Sequence, residues 1–331
     1  APGSIAALVA AVAAGSAGAA PSRLQTAGAN SALVLAYVTT ASSAFARRVA
    51  EEPRALQALL AVVAAGGAAV ASCLQAAASH CTGVLGDITG AGSDLARRVA
   101  EEPRALRTLV ATVAAGATAG ARSAQDAAAH SVRVLARMAW PDPELARRVA
   151  EERGALRALI GGLAAGATTA AAPSLQEAAQ NIAQALLDIT KAGPDFVRRV
   201  AEESGALPTL VAAAAAGGAA ATPSLQAAAY NSTAVLNQIT QSCPEFAQRV
   251  AEAPGALLAL VAALAAGGAG AASASQQAAA ADGARCWPGS PRPPQAWRSA
   301  WPRRRARCLQ WLLPSRQAAS QPQTAQSCCG S

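Results

Sequence analysis

Two His and seven Cys are the residues of this 331-residue chain whose types best suit metal binding or nucleophilic attack. Their spacing works against both. Cys73, His80 and Asp87 stand seven residues apart in turn, about 10 Å per step along a helix that rises roughly 1.5 Å per residue, whereas zinc ligands converge to about 2.0–2.3 Å from one ion. His80 and Cys81 are neighbours in sequence, so a helix points them to different sides, and no third residue is spaced to orient them as a nucleophile and its base require. Gly-Gly pairs at 66, 161, 217 and 267 could suggest phosphate loops. Such loops need a strand before them and a Lys with Ser or Thr after them. The single Lys of the chain, Lys191, is not placed for that, and the pairs read as helix stops. These patterns predict a non-enzymatic protein with no catalytic residue, no metal and no cofactor.

The elements that would position any site are helical. Alanine supplies 98 of the 331 residues, and only 3% are aromatic, so the bias is toward helix with an aliphatic core. An apolar content of 53% against 14% charged excludes a mainly unfolded chain. Gly interrupts every alanine stretch, so no run reaches the roughly 18–20 apolar residues of a membrane span. The segment SIAALVAAVAA, residues 4–14, has the length of a secretory apolar core but no positively charged start, and no signal peptide is read.

The chain repeats. FARRVAEEPRAL (45–56), LARRVAEEPRAL (95–106), LARRVAEERGAL (145–156), FVRRVAEESGAL (196–207) and FAQRVAEAPGAL (246–257) share a template, and Leu56, Leu106, Leu156, Leu207 and Leu257 are spaced 50, 50, 51 and 50 apart. Gln25, Gln75, Gln125, Gln176, Gln226 and Gln276 keep a similar spacing. A period of this size means a stacked array. Each copy reads as three helices. A short first helix, about Phe45 to Glu52, turns Phe45 and Val49 to one face and sets Arg47 with Glu51 and Arg48 with Glu52 as i,i+4 pairs. A second begins near Pro53 and carries Leu56, Leu59, Leu60 and Val63, as Leu156, Leu159, Ile160 and Leu163 do two copies later. A third, about Ser174 to Thr190, aligns Leu175, Ala179, Ile182, Leu186 and Ile189 in one sector. Ile5, Leu8, Val9 and Val12 match the second-helix stripe, so the first copy opens inside a second helix, as a fragment or a processed chain would.

GALPTLVAAAAAGG (205–218) and SLQEAAQNIAQALLDIT (174–190), following the short helix, resemble the second and third helices of the armadillo repeat family; HEAT-type arrays share the periodicity. The resemblance covers about 280 residues, five and a half copies of 50 to 51 residues. Family repeats run to about 42 residues, so some eight extra per copy are assigned to the Ala/Gly loop. The resemblance implies an all-α, right-handed α-solenoid over residues 1–283, a non-enzymatic scaffold whose third helices line a concave groove for a protein or an extended peptide. The family's Trp and Asn array is not matched: Gln184 and Asp188 stand at those places, which argues against recognition of basic localisation peptides.

Helix phase points to the groove residues. Opposite the apolar sector lies a ladder of Asn30, His80, His130, Asn181 and Asn231, with Ala281 in the broken sixth copy, and two turns on lie Tyr37, Asp87, Arg137, Asp188 and Gln238, which vary. The ladder could hold a peptide backbone and the variable row choose its side chains; equally, duplication alone preserves an exposed Asn or His. The template is abandoned near residue 283. Residues 285–331 carry eight Arg and no acid, while residues 1–284 carry 19 of each sign, so the whole net charge of +8 belongs to the tail. Pro, Arg and Trp without periodicity predict a disordered 284–331. RRRAR at 303–307 with interleaved Trp is either a basic arm for nucleic acid or the product of a shifted or read-through frame. The alternative function is therefore a helical-repeat nucleic-acid binder with the arm supplying affinity, but a neutral array does not suit phosphate. An odd, irregular set of seven Cys suggests a reducing compartment, cytoplasmic or nuclear, and the protein is expected to be monomeric.

Overall fold

The computed structural model of the chain describes residues 3–17, 20–68, 71–140, 142–217 and 221–253. Contacts divide the chain into Ala1–Cys286 and Trp287–Ser331, and every described residue belongs to the first unit. The expectations for Leu257, Gln276, Ala281 and the 284–331 tail fall outside the described residues.

The described residues form fifteen α-helices. The short first helices are α3 (Ser43–Glu51), α6 (Ser93–Glu101), α9 (Pro143–Glu151), α12 (Pro194–Glu202) and α15 (Pro244–Glu252). The second helices are α1 (Ser4–Gly15), α4 (Ala55–Ala68), α7 (Ala105–Thr118), α10 (Ala155–Gly166) and α13 (Ala206–Ala216). The third are α2 (Ser22–Ala41), α5 (Ser72–Gly90), α8 (Arg122–Ala139), α11 (Pro173–Lys191) and α14 (Pro223–Ser242). Second and third helices pack against their counterparts three elements on: α2 on α5, α5 on α8, α8 on α11 and α11 on α14 in one row, and α1 on α4, α4 on α7, α7 on α10 and α10 on α13 in another. The first helices α3, α6, α9 and α12 each bridge two third helices, as α3 does between α2 and α5. The protein is thus all-α, built from sequentially packed, repeated helical units.

Local chemistry sets the boundaries. Pro143, Pro194 and Pro244 open first helices, where a missing N–H costs nothing. The Asp142 carboxylate caps α9 by accepting the Glu144 N–H at 2.9 Å. The turn into the second helix requires a left-handed residue, filled by Arg54 (φ 64°), Arg104 (φ 67°), Gly154 and Gly205 (both φ 78°), so helix two starts at Ala55, two residues past the expected Pro53. The core is the expected stripe: Leu59, Val63, Leu109, Leu159, Leu163, Ile182, Leu186 and Ile189 are each fully buried. At about 1.5–3 kcal/mol per buried aliphatic side chain, this stripe dominates the stability of each copy.

Two of the Gly-Gly pairs correct the sequence reading. Gly66-Gly67 does not stop α4, which runs on to Ala68, and Gly161-Gly162 lies in the middle of α10. The pair at 217 does follow the end of α13 at Ala216, as a stop would, but Gly15, Gly66, Gly116, Gly166 and Gly217 also mark the crossing of second and third helices. A Cβ at Gly116 would sit 2.2 Å from Ala128 Cβ and 2.8 Å from the Ala124 carbonyl, and one at Gly66 would sit 2.3 Å from Ala78 Cβ. Only a residue without a side chain lets the backbones approach this closely. In two copies the second helix is long and the connection short, as where α7 ends at Thr118 and α8 starts at Arg122, while six residues separate α1 from α2, α10 from α11 and α13 from α14, at the expected Ala/Gly loop. The one-residue insertion of the next copy does lie between helices, where α10 ends at Gly166 and α11 begins at Pro173.

Ion pairs join copies more than they staple single helices. Arg47 reaches Asp94 at 2.8 Å, not Glu51, and Arg97 reaches Asp142 at 2.6 Å, each acid lying at the start of the following first helix, where the dipole favours it. Arg148 and Arg199 donate to the carbonyls of Ala100 and Ala150 one copy back. Phe45 was expected on one face with the buried Val49, but it is 40% exposed, whereas its counterparts Leu95, Leu145, Phe196 and Phe246 are buried.

Two outcomes follow for chemical denaturation. Gly116→Ala destabilises the protein by about 1–3 kcal/mol through overpacking, while Gly120→Ala, with nothing within 4 Å of the added Cβ, changes it by less than about 0.5 kcal/mol. Arg104→Gly raises stability by up to about 1 kcal/mol by relieving the left-handed strain, and Gly205→Arg lowers it.

Candidate functional site

The row of third helices carries the residues singled out from the sequence. Its repeated Gln marker proves to be a clamp. Nε2 of Gln25, Gln125, Gln176 and Gln226 donates to the carbonyls of Ala20, Ala119, Ala171 and Ala221, just before the same helix. The other end of the amide faces the next copy: Oε1 of Gln25, Gln75 and Gln176 accepts from Cys73, Ser123 and Thr222 at 3.3, 3.2 and 2.8 Å. One side chain thereby fixes a loop and joins neighbouring copies.

The ladder is graded in exposure. Asn30 is exposed, His80, His130 and Asn181 are half-buried, and Asn231, expected on the surface, is only 5% exposed. The correction has a geometric cause: third helices pack side by side, so the flanks of the polar face are covered as well as the core stripe. His130 Nδ1 lies 3.0 Å from the Ser79 carbonyl. A carbonyl only accepts, so Nδ1 carries the proton and Nε2 is left as an acceptor. Burial holds the pKa of His130 below the usual histidine value, with the Arg133 charge adding to it and Asp126 and Glu177 opposing; burial and then His130 lower that of His80.

Two residues of the variable row, Asp87 and Arg137, join helices. Asp87 accepts from Thr39 Oγ1 at 3.0 Å and Thr40 Oγ1 at 2.8 Å, both on the preceding third helix. Arg137 Nη1 donates to the Gly86 carbonyl on α5. Asp188 is buried, accepts from Gln184 Nε2 at 2.8 Å and pairs with Lys191 at 3.0 Å. Gln238 has a buried Oε1 without a partner among the described residues, and Tyr37 stands out at 70% exposure. Between α5, α8 and α11 a cavity of about 480 Å³ opens, lined by Arg133, Arg137, Trp140, Asn181 and Gln184 among others. Trp140, 68% exposed, escaped the sequence reading. The available signal was its place three residues after Arg137, on the same helical face.

Among the described residues no group of three His, Cys, Asp or Glu is gathered to hold a metal. The Cys81 thiol is fully buried and its pKa is pushed well up by that burial, which suppresses the thiolate a nucleophile needs. Cys73 spends its S–H on Gln25. No helix among the described residues is long and apolar enough to cross a membrane. No protein-family model matches the chain, and no curated protein matches it in sequence.

The two histidines give a pH dependence with a definite sign. Both folded-state pKa values are lowered, so between them and the unfolded value near 6.5 the unfolded chain binds more protons and stability rises with pH. Acidification from pH 7.5 to about 5 therefore lowers the melting temperature, and His130→Gln flattens that slope. A slope unchanged by His130→Gln in thermal melts would show that the ring is not desolvated.

Proposed function

We propose that this protein is a non-enzymatic, armadillo-like scaffold, a right-handed α-solenoid that holds a partner protein or extended peptide along a concave face formed by its third helices. The observation that carries the reading is the open cavity between α5, α8 and α11: polar side chains of two successive copies, Arg133 with Arg137 and Asn181 with Gln184, converge on it beside an exposed Trp140. A large aromatic with hydrogen-bonding neighbours on a rigid helical row suits a binding surface. The ladder residues Asn30, His80, His130 and Asn181 continue that face, and Asn231 supports it from a buried place. Tyr37 offers an exposed aromatic, and Arg137 and the half-buried Gln238 vary the face from copy to copy, while Asp87 and Asp188 act through the ties they make within the row. Free thiols at Cys73, Cys81 and Cys243 fit a reducing, cytoplasmic or nuclear setting.

Affinity capture by the full chain tests the reading. Asn30→Ala combined with Asn181→Ala weakens capture of partners with little change in melting temperature, since replacements of surface polar groups usually cost under about 0.5 kcal/mol. Arg157→Ala, on the exposed side of α10, leaves capture intact. Capture untouched by the Asn changes, or lost equally with Arg157→Ala, would contradict a third-helix face.

A further inference from the structure

The third copy differs from its neighbours in one respect. Arg133 and Arg137 are one turn apart on α8, and like charges at that spacing repel, yet neither forms an ion pair among the described residues. Elsewhere, arginines without an ion pair among the described residues are exposed, apart from Arg148, which donates to the Ala100 carbonyl, and five others find acids one copy on: Arg47 with Asp94, Arg97 with Asp142, Arg107 with Glu152, Arg157 with Glu203 and Arg198 with Glu245. Those five are largely exposed, whereas Arg133 and Arg137 are half-buried, where an unpaired charge is most costly. Nε of Arg133 is buried with no hydrogen-bond partner. Burial, and after it the Arg133 charge, disfavour the charged form of Arg137.

Space for these side chains is provided by α5. A Cβ at Gly86 would lie 3.0 Å from Arg133 Nε, and one at Gly90 would collide with the Arg137 guanidinium. The equivalent places in the other copies with described third helices hold Ala36 and Thr40, Ala136 and Trp140, Leu187 and Lys191, and Asn237 and Gln241. Gly86 also accepts from Arg137 Nη1, which orients the guanidinium and leaves its remaining N–H groups to the cavity. Every nearby acid is committed or out of reach. Asp87 is held by two Thr hydroxyls, Asp188 by Gln184 and Lys191, and Asp126 by Arg122 at 3.9 Å. Glu177 acts on Arg137 through space and makes no ion pair with it.

We propose that this cavity binds the carboxylate side chains of an extended acidic peptide, gripped by the guanidinium forks of Arg133 and Arg137, with Asn181 and Gln184 facing its backbone and Trp140 packing against a neighbouring residue. Guanidinium and carboxylate match as paired donors and acceptors, and about 480 Å³ lies within the range of pockets that enclose a few side chains. The charge of the row selects a peptide over nucleic acid. Along Asp87, Arg137 and Asp188 the sign alternates from copy to copy, so a phosphate backbone spanning neighbouring copies meets two carboxylates for each arginine pair, while a peptide with its acids concentrated at one point does not. This assignment rests on the groove reading above and names the chemistry of its partner.

Fluorescence anisotropy with the full chain tests it. The probes are a labelled peptide of about ten residues with adjacent Glu in a Gly/Ser background, the same peptide with Gln for Glu, and a single-stranded oligothymidylate, which reports the basic residues 285–331. The wild type binds the Glu peptide at least about tenfold more tightly than the Gln peptide. Arg133→Gln with Arg137→Gln removes that preference and leaves oligothymidylate binding unchanged. Arg133→Gln alone, which breaks no hydrogen bond, weakens the Glu peptide about tenfold without moving the melting temperature, so a folding defect of the double variant does not decide the matter. Equal affinity of wild type and Arg133→Gln for the Glu peptide would overturn the proposal, as would a parallel loss of oligothymidylate binding, which marks a phosphate site. If the Glu peptide is indifferent to the arginines while capture still depends on Asn30 and Asn181, the acidic-peptide assignment falls and the groove reading stands.

Discussion

Each copy depends on one close approach, the crossing of its second helix over its third at a glycine. Gly15, Gly66, Gly116, Gly166 and Gly217 recur at the period of the array, and at each a β-carbon would meet backbone or an alanine methyl at 2.0 to 2.9 Å. Helices brought this near bury a stripe built almost wholly from Leu, Ile, Val and Ala, which explains how a chain so poor in aromatics forms a continuous core. The alanines opposite, Ala78, Ala128, Ala179 and Ala229, are the other half of the same constraint, because a larger side chain would push the helices apart. The abundance of Ala is in this sense a packing requirement as well as a helix preference.

Polar chemistry is then spent on joining copies. The repeated Gln ties its loop to the next third helix, first-helix arginines reach forward to acids and back to carbonyls, and Asp87 is satisfied by Thr39 and Thr40. Exposed pairs of this kind contribute about 0.2–1 kcal/mol each, so their service is register more than strength. Against this background Arg133 and Arg137 stand out, because the other arginines without an ion pair among the described residues are exposed, apart from Arg148 on its carbonyl, whereas these two are half-buried. The binding face is what remains of the third-helix surface after these ties are made, and it is narrower than a helical wheel suggests.

Periodicity made the helices legible. The stripes through Leu59, Leu163, Ile182 and Leu186, and the three-helix division of each copy, were readable because apolar spacing survives duplication. The pairs at 66 and 161 were misread as stops, and that at 217 was read correctly, since a helix stop and a helix crossing use the same residue and only the partner helix tells them apart. Phe45 was put on the same face as Val49 because its place in the template is filled by buried residues in the later copies, and the template does not carry the exposure of a single copy. The ladder was found, but its exposure was not: Asn231 is buried by packing across the row, a relation between distant residues that no single-helix projection contains. Arg137 was marked as a variable site, yet its tie to Gly86 and the cavity beside Trp140 depend on two helices 51 residues apart in sequence.

The crossing is open to direct observation by nuclear Overhauser contacts in protein labelled at alanine methyls and glycine α-carbons. Contacts from the methyls of Ala78, Ala128, Ala179 and Ala229 to the α-protons of Gly66, Gly116, Gly166 and Gly217, one at every crossing, are the predicted result. Absence of these contacts, with the Gly116 amide exchanging as fast as that of Gly120, would contradict the account at its foundation.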